Sequence, residues 1–200
     1  MIQLIGIIRL WPVALLIIAF MGGSFIVMVI RESYNEKQAK TGEDMNRLKE
    51  MLKEVVPDLE NYVPAYGIWE LEKYYGNRAQ TYFWYYAIAF NDDRIHVIKL
   101  QNVKKRLEPE GSFVVEKSQV GMVNGGMHSN WMSLYDKEGR EIMTLIVARE
   151  NLKDDKDHPV NIIQEEAAAA FEELVAKWTE DINRENNVKS TGIYGAMDKN

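Results

Sequence analysis

The fold is decided by the consecutive segments Thr81-Tyr-Phe-Trp-Tyr-Tyr-Ala-Ile-Ala-Phe90, Asn91-Asp-Asp93 and Arg94-Ile-His-Val-Ile-Lys-Leu100. Aromatic and β-branched residues dominate the first and third segments, and such residues favour strands. The polar segment between them is typical of a turn. Together the three segments predict a β-hairpin.

Further strands are predicted downstream of this hairpin. The strand regions are Ser112–Val123, Asn130–Tyr135 and Glu141–Ala148. Breaks of Gly, Pro, Asn and Asp separate them, at 109–111, 124–126 and 136–139. Short strands at close spacing with hairpin-length turns predict a meandering antiparallel sheet.

One long helix is predicted after the sheet, with Asn161 as its N-cap and two glutamates, Glu165 and Glu166, in its first turn. Its apolar stripe comprises Ala167, Phe171, Leu174, Val175, Trp178 and Ile182. Such a stripe requires a surface to cover, so the predicted fold class is α+β, mainly antiparallel β, capped by this helix. Periodicity ends near Asn187, and residues 188–200 are predicted to be a disordered tail.

The segment Tyr62–Gly76 is rich in Tyr and Trp but lacks clean alternation. We interpret it as an extended or mixed segment that packs on the edge of the sheet. It belongs to a predicted soluble domain over residues 58–187.

The amino-terminal region contains an uncharged run, Leu10–Ile30. As a helix, the run would rise ~31 Å, close to the ~30 Å hydrocarbon core of a bilayer. Arg9 and Arg31 bracket the run, and Trp11 stands where an interfacial aromatic residue is expected. Residues 1–31 are therefore predicted to be a single-pass transmembrane anchor in the cell membrane.

Two features of this anchor leave alternatives open. A cleaved signal peptide is the rival interpretation, although the run exceeds the usual apolar length and no clear cleavage site follows. Ala19 and Gly23 form a small-xxx-small pair, for which an incidental origin is favoured over helix dimerisation. Lys and Arg are more frequent after the run than before it, which predicts a cytoplasmic location for the soluble part.

Residues 32–57 are predicted to form an amphipathic helical connector. Within the helical stretch Glu36–Val56, Met45, Leu48, Leu52 and Val55 fall at helical spacing, and Pro57 ends it. Two interpretations remain: a helix packed on the following domain, which is favoured, and a short dimerising stalk.

Composition and charge exclude several functions. The chain has no Cys, which excludes disulfides and thiolate chemistry, and its net charge is −6. Since Arg9 is the only charged residue before Arg31, the remainder carries −7, which disfavours nucleic acid as a partner. No catalytic motif stands out, and His96, His128 and His158 share no ligand spacing, so no enzyme activity, metal or cofactor is predicted.

The stretch Tyr85–Leu100, with its aromatic strand, turn, basic residue and aliphatic strand, resembles the bacterial pleckstrin-homology-like family. The resemblance extends through the meander to the helix that carries Trp178. It implies a curved, partly open antiparallel barrel capped by the last helix. Members of that family bind lipids, peptides or proteins, or assemble with one another, and the fold does not choose among these functions.

One departure concerns the phosphate site that lipid-binding relatives carry around the first hairpin loop. Here the loop interpreted as the first, Asn91–Asp93, is acidic, and a basic cluster of Lys104, Lys105 and Arg106 occupies the next loop. These three residues are the candidate ligand-binding residues, although a solvated loop is the favoured interpretation.

The predicted function is a membrane-anchored, non-enzymatic interaction module that binds a protein or peptide partner, or associates with itself. The first alternative is a domain that binds anionic lipid through the basic cluster. The second is a small ligand carrier or enzyme on a cystatin-like α+β fold.

Overall fold

The computed structural model describes residues 2–76, 78–125, 129–154 and 158–186, with side chains from residue 20 onward. The predicted tail, His128 and the side chains of Arg9 and Trp11 lie outside the described part. So do the side chains of residues 10–19, which form the first half of the predicted span.

A seven-stranded antiparallel sheet forms the body of the protein. Its strands are β1 (Val63–Tyr75), β2 (Arg78–Phe90), β3 (Arg94–Val103), β4 (Arg106–Glu116), β5 (Val120–Asn124), β6 (Trp131–Asp136) and β7 (Glu141–Ile146). The strand order is β4-β3-β2-β1-β7-β6-β5. Two short strands, β8 (Glu150–Asn151) and β9 (Ile162–Ile163), pair separately. The predicted antiparallel meander is confirmed.

The described helices are α1 (Ile2–Thr41), α2 (Glu43–Val55) and α3 (Glu165–Glu185). Gly42 adopts a left-handed conformation with φ of 70° between the first two, a geometry that glycine tolerates at little cost. The prediction of one helix over Glu36–Val56 is therefore wrong, because the chain breaks at this glycine. A search of the described residues finds no helix with the length and apolar character that a membrane crossing needs.

Helices cover both faces of the sheet. The face toward α3 contributes a core cluster that includes Ile88, Phe90, Leu134, Leu145, Phe171 and Trp178. The opposite face packs against α2 and includes Leu48, Leu52, Tyr66, Ala87, Ile98 and Leu100. The predicted apolar stripe of the last helix is buried as expected, except that Ala168 is fully buried in place of Ala167.

The segment Tyr62–Gly76 does not lie at the sheet edge. It contains β1, the central strand of the order, so that prediction is wrong. Residues Ala65–Ile68 are buried on both faces, whereas residues 72–75 are exposed on both. A strand with two buried faces and then two exposed ones has no alternating pattern, which is why the sequence did not reveal it.

Three predicted boundaries are also corrected. The last helix begins at Glu165 with Gln164 as its N-cap, and Asn161 instead accepts a hydrogen bond from the backbone of Lys153 at 2.8 Å. Residues 109–111 do not interrupt the sheet, since Pro109 lies in the edge strand β4, where a missing N–H is tolerated. The predicted strand over Ser112–Val123 is split between β4 and β5 by a 3-10 turn.

The seam between β1 and β7 is closed by a side chain. The two strands pair only at Ile68 and Ile146. Below that point, the Gln164 amide oxygen accepts from the Tyr66 N–H at 2.8 Å, and the amide nitrogen donates to the carbonyls of Tyr66 and Ala148, each at 2.8 Å. Gln164 thus replaces a missing strand neighbour of β1, where unpaired backbone groups would be costly to bury.

Replacing this amide leaves the buried N–H and C=O of Tyr66 without their partner, and it leaves the Ala148 carbonyl with only the Asn151 amide at 3.4 Å. For Gln164→Ala we expect the free energy of unfolding to fall by about 3 kcal/mol, because buried groups that lose a hydrogen bond are penalised. Urea unfolding followed by tryptophan fluorescence measures the change. The exposed Gln101→Ala is the control, expected to stay within about 0.5 kcal/mol of the wild type. Equal effects of the two substitutions would contradict the proposed seam.

Candidate functional site

The hairpin of β1 and β2 extends beyond the rest of the sheet. Its two strands stay paired up to Tyr75 and Arg78. In the described part of the chain, pairing of β2 with β3 stops at Tyr85 and Leu100, and pairing of β1 with β7 occurs only at Ile68. Residues 69–76 and 78–84, which we call the arm, therefore form a two-stranded ribbon with both outer edges unpaired.

The arm is exposed to solvent despite its aromatic content. Tyr74 is 71% exposed, Tyr75 59% and Trp84 39%. An isolated two-stranded ribbon is marginally stable in water, and exposed aromatic surface is typical of interaction sites. The arm is thus the part of the described surface that is best suited to contact another molecule.

One face of the arm carries a ladder of aromatic side chains. The register places Trp69 opposite Trp84 and Leu71 opposite Tyr82. The Tyr82 and Trp84 rings stack with centroids 6.3 Å apart and planes at 28°. The Lys73 ammonium lies 5.4 Å from the Tyr82 ring centroid, a distance suited to a cation–π contact. These side chains continue the face of the sheet that α3 covers lower down.

Hydroxyl groups near the tip of the arm are hydrogen-bonded within it. The Tyr74 hydroxyl donates to Glu72 at 2.7 Å, and the Tyr75 and Tyr82 hydroxyls lie 3.4 Å apart. The hydrogen bond to Glu72 raises the pKa of Tyr74, and the Tyr75 hydroxyl raises the pKa of Tyr82. Both phenols therefore remain neutral at physiological pH and act as hydrogen-bonding, amphipathic contact groups.

A notch opens where β2 and β3 separate. It has a volume of about 360 Å³. Its lining includes Phe83, Trp84, Lys99, Gln101, Asn102 and Glu110. The notch leaves the outer backbone of β2 accessible beside an aromatic wall, which is the geometry of an extended segment adding to a sheet edge.

The predicted ligand residues Lys104, Lys105 and Arg106 lie at the tip of the neighbouring β3–β4 hairpin, all exposed. The two lysines make the two-residue turn that joins β3 to β4, with φ of 50° and 66°, and Arg106 begins β4. Among the described residues, none of the three forms an ion pair. Arg47 of α2 reaches the same hairpin and donates to the Leu107 carbonyl at 3.2 Å.

The acidic loop Asn91–Asp93 is not the first hairpin loop, so this part of the interpretation is wrong. It joins β2 to β3, and the first hairpin is the arm. The loop instead fastens α3, since Asp92 pairs with Lys177 and its carbonyl accepts from the Trp178 indole at 2.8 Å. Of the predicted anchor residues, Arg31 has a described side chain and is partly buried on α1.

A second concavity lies in the elbow between α1 and α2. It has a volume of about 980 Å³ and is open. The Asn35 amide donates to the Lys153 carbonyl at 2.7 Å and joins α1 to the domain there. Acidic and basic residues both line it, including Glu32, Glu36, Lys49, Arg149 and Glu165. This mixture of signs indicates no particular charge for a ligand.

His96 is a packed residue on the α2 side of the sheet. Within the described part of the chain, neither of its ring nitrogens has a hydrogen-bond partner, and the Tyr62 ring packs edge-on with centroids 5.0 Å apart. Burial lowers the pKa of His96, as does the nearby Arg94, while Asp58 and Glu116 oppose this shift. The described residues hold no group of three or more side chains placed to bind a metal ion.

The arm was missed by sequence reasoning although its aromatic residues were visible. The sequence predicts a mixed edge segment for Tyr74 and Tyr75 and an ordinary strand for Tyr82 and Trp84, so it does not predict the ribbon that they form together. The useful signal was Tyr75-Gly76-Asn77-Arg78, since a Gly-Asn pair between two β-prone runs is typical of a hairpin turn. That turn would have joined the two aromatic runs.

Comparison with known proteins adds no relative. No protein-family model matches the chain, and no curated protein or solved structure matches it. A function is therefore argued from the geometry of the arm and its surroundings.

The buried imidazole makes stability depend on pH. Since the folded state lowers the pKa of His96 below its ordinary value of 6.5, the unfolded chain binds more protons between those two values. The stabilisation that His96 gives to the folded state is therefore complete above its ordinary pKa of 6.5, and it is lost as the pH falls through the lowered pKa. When the pH is lowered from about 7.5 to about 5.5, the free energy of unfolding of His96→Phe should fall less than that of the wild type.

Denaturant unfolding at several pH values measures this difference. Gln101→Ala, which removes no titrating group, is the control and should retain the wild-type pH dependence. If His96→Phe shows the same pH dependence as the wild type, the assignment to His96 fails.

Proposed function

We propose that the protein is a membrane-anchored, non-enzymatic interaction module whose arm binds a protein or peptide partner, or a second copy of the chain. The observation that carries the proposal is the exposed aromatic ribbon with two unpaired backbone edges. Sheet edges of this kind gain affinity from main-chain hydrogen bonds and specificity from side-chain contacts.

The anchor is supported by the surface of α1. Its apolar residues from Phe20 to Ile30 are exposed all around the helix, with Phe20 at 78%, Val27 at 66% and Ile30 at 64%. A helix that is apolar on every face requires an apolar environment. The uncharged run continues back to Leu10 and is bracketed by Arg9 and Arg31. We propose a single-pass anchor in the cell membrane with the soluble part in the cytoplasm.

The strand topology supports the pleckstrin-homology-like resemblance. The meander of seven strands brings β1 beside β7, and α3 packs on the resulting concave face. The narrow contact at Ile68 and Ile146 agrees with a barrel that is only partly closed.

Photo-crosslinking in membranes tests this function. The full-length chain should stay in the membrane pellet after carbonate extraction. A benzophenone amino acid at Tyr74 should capture a neighbouring protein chain, because that side chain is largely exposed at the arm. The same probe at the exposed Glu138, in the turn between β6 and β7, is the matched control. Equal capture at both positions, or none at Tyr74, would refute the proposed role of the arm.

The anionic-lipid alternative is favoured by one observation, the left-handed backbone of Lys104 and Lys105. Residues other than glycine rarely adopt this conformation and lose about 1 kcal/mol or more each by doing so. The two central positions of such a turn are usually occupied by Asn and Gly. The presence of two lysines there indicates that their positive charge has a function. Such a cluster would attract anionic headgroups in a salt-dependent manner.

Vesicle binding by the fragment 43–186, which retains both core clusters, decides this alternative. If it holds, replacing the turn by Lys104→Asn with Lys105→Gly should weaken binding to anionic vesicles by about thirtyfold, since each lysine contributes about 1 kcal/mol near the surface. Lys137→Asn, in another exposed turn, is the control. Binding that ignores anionic lipid and salt removes the alternative.

The ligand-carrier alternative has less support. The space between α3 and the sheet is filled by large side chains, among which Phe171 and Trp178 are fully buried. The notch and the elbow both open at the surface. A carrier would need an enclosed pocket that buries most of its ligand.

A further inference from the structure

The two edges of the arm differ in their protection against pairing. The β1 edge, residues 69–75, carries Glu70, Glu72 and Lys73. The β2 edge, residues 78–84, carries one charge, Arg78 at its end, and has neither Pro nor Gly. Proteins usually protect an exposed edge with charges or proline. The unprotected β2 edge is therefore the one adapted to receive another strand.

The backbone of this edge is oriented for pairing. Tyr75 and Arg78 are register partners with two residues between them in the sequence. The closing pair of such a hairpin exchanges backbone hydrogen bonds, and hydrogen-bonded pairs alternate with non-bonded pairs from there. By that alternation, the N–H and C=O groups of Ala79, Thr81 and Phe83 point away from β1. They face the side on which β3 has already separated, where no described strand meets them.

The sequence of the edge is complementary to itself. The centre of residues 78–84 is Thr81, so a two-fold axis there uses the whole edge. Antiparallel pairing of two copies places Thr81 opposite Thr81, Arg78 opposite Trp84 and Gln80 opposite Tyr82. No two like charges lie opposite each other, and the Arg78 guanidinium of one copy lies opposite the Trp84 indole of the other. Both aromatic ladders fall on the same face of the joined four-stranded sheet.

The charge distribution also fits a second copy. The chain from Arg31 onward carries a net charge of −7, so two copies repel one another in general. The arm is an exception, because Glu70 and Glu72 are balanced by Lys73 and Arg78. Contact through the arm brings together a neutral part of each copy.

We propose that two copies of the chain associate by antiparallel pairing of their β2 edges about a two-fold axis at Thr81. The inference rests on the proposed function, in which the arm is the binding surface of a membrane-anchored chain. Anchoring in one bilayer raises the effective concentration of copies, so a short edge contact is sufficient for association.

Disulfide trapping tests this pairing directly, because the natural chain has no cysteine. Paired residues of antiparallel strands have Cα atoms ~4.5–5.5 Å apart, within the ~4.4–6.8 Å that a disulfide spans. Thr81→Cys in the full-length chain, oxidised in native membranes, should give a dimer on non-reducing gels. Glu72→Cys is the matched control, since Glu72 lies opposite Thr81 on the other edge of the same arm.

We expect about tenfold more dimer from Thr81→Cys than from Glu72→Cys, since only the first brings two cysteines within disulfide range. If Glu72→Cys gave as much dimer as Thr81→Cys, the assignment of the contact to the β2 edge would be wrong. Ala79→Cys checks the register, because Ala79 would face Phe83 and not its own copy. A dimer from Ala79→Cys that exceeds the one from Thr81→Cys would overturn the axis at Thr81.

The photo-crosslinking experiment separates failure of this inference from failure of the proposed function. Suppose that Thr81→Cys gives no dimer and that the probe at Tyr74 captures a different protein. The proposed pairing with a second copy is then wrong, whereas the arm still binds a partner. Absence of both products refutes the inference and the proposed function together.

Discussion

Burial of the central strands on both faces is the constraint on which the rest of the structure depends. Over Ala65–Ile68 of β1 and Tyr85–Phe90 of β2, the sheet lies between α2 and α3. Each helix covers one face, and the buried side chains there supply most of the hydrophobic stabilisation. Beyond Ile68 and Tyr85 the burial decreases, and the same two strands continue into solvent as the arm.

The packing of α2 changes how the chain is divided. Leu48 and Leu52 belong to the core beside Tyr66 and Ala87, so α2 is part of the folded domain. Gly42 is the point at which α1 departs from it. Any fragment meant to fold without α1 must therefore retain α2, because its removal would expose side chains on one face of the central strands.

The seam at Gln164 and the arm both arise because neighbouring strands of the sheet separate. The strands β1 and β7 separate below Ile68, and the Gln164 amide fills the gap between them. The strands β2 and β3 separate above Tyr85, and no side chain of the described residues fills that gap with hydrogen bonds to the backbone of β2. A gap that is buried must be satisfied internally, whereas a gap at the surface can be satisfied by another chain. This difference is the physical basis for placing function at the arm.

The sequence by itself determined the apolar run, the antiparallel hairpin around Asn91–Asp93 and the apolar stripe of the last helix, because each has a local period or a local turn residue. It did not reveal β1, whose burial changes from two faces to none along one strand, or the N-cap at Gln164. The basic cluster was visible as composition, but its tight left-handed turn was not. Only the tertiary structure decided where the strands separate, and hence that Trp84 and Thr81 lie on an unpaired edge, because strand pairing is a non-local property that no short stretch of residues encodes.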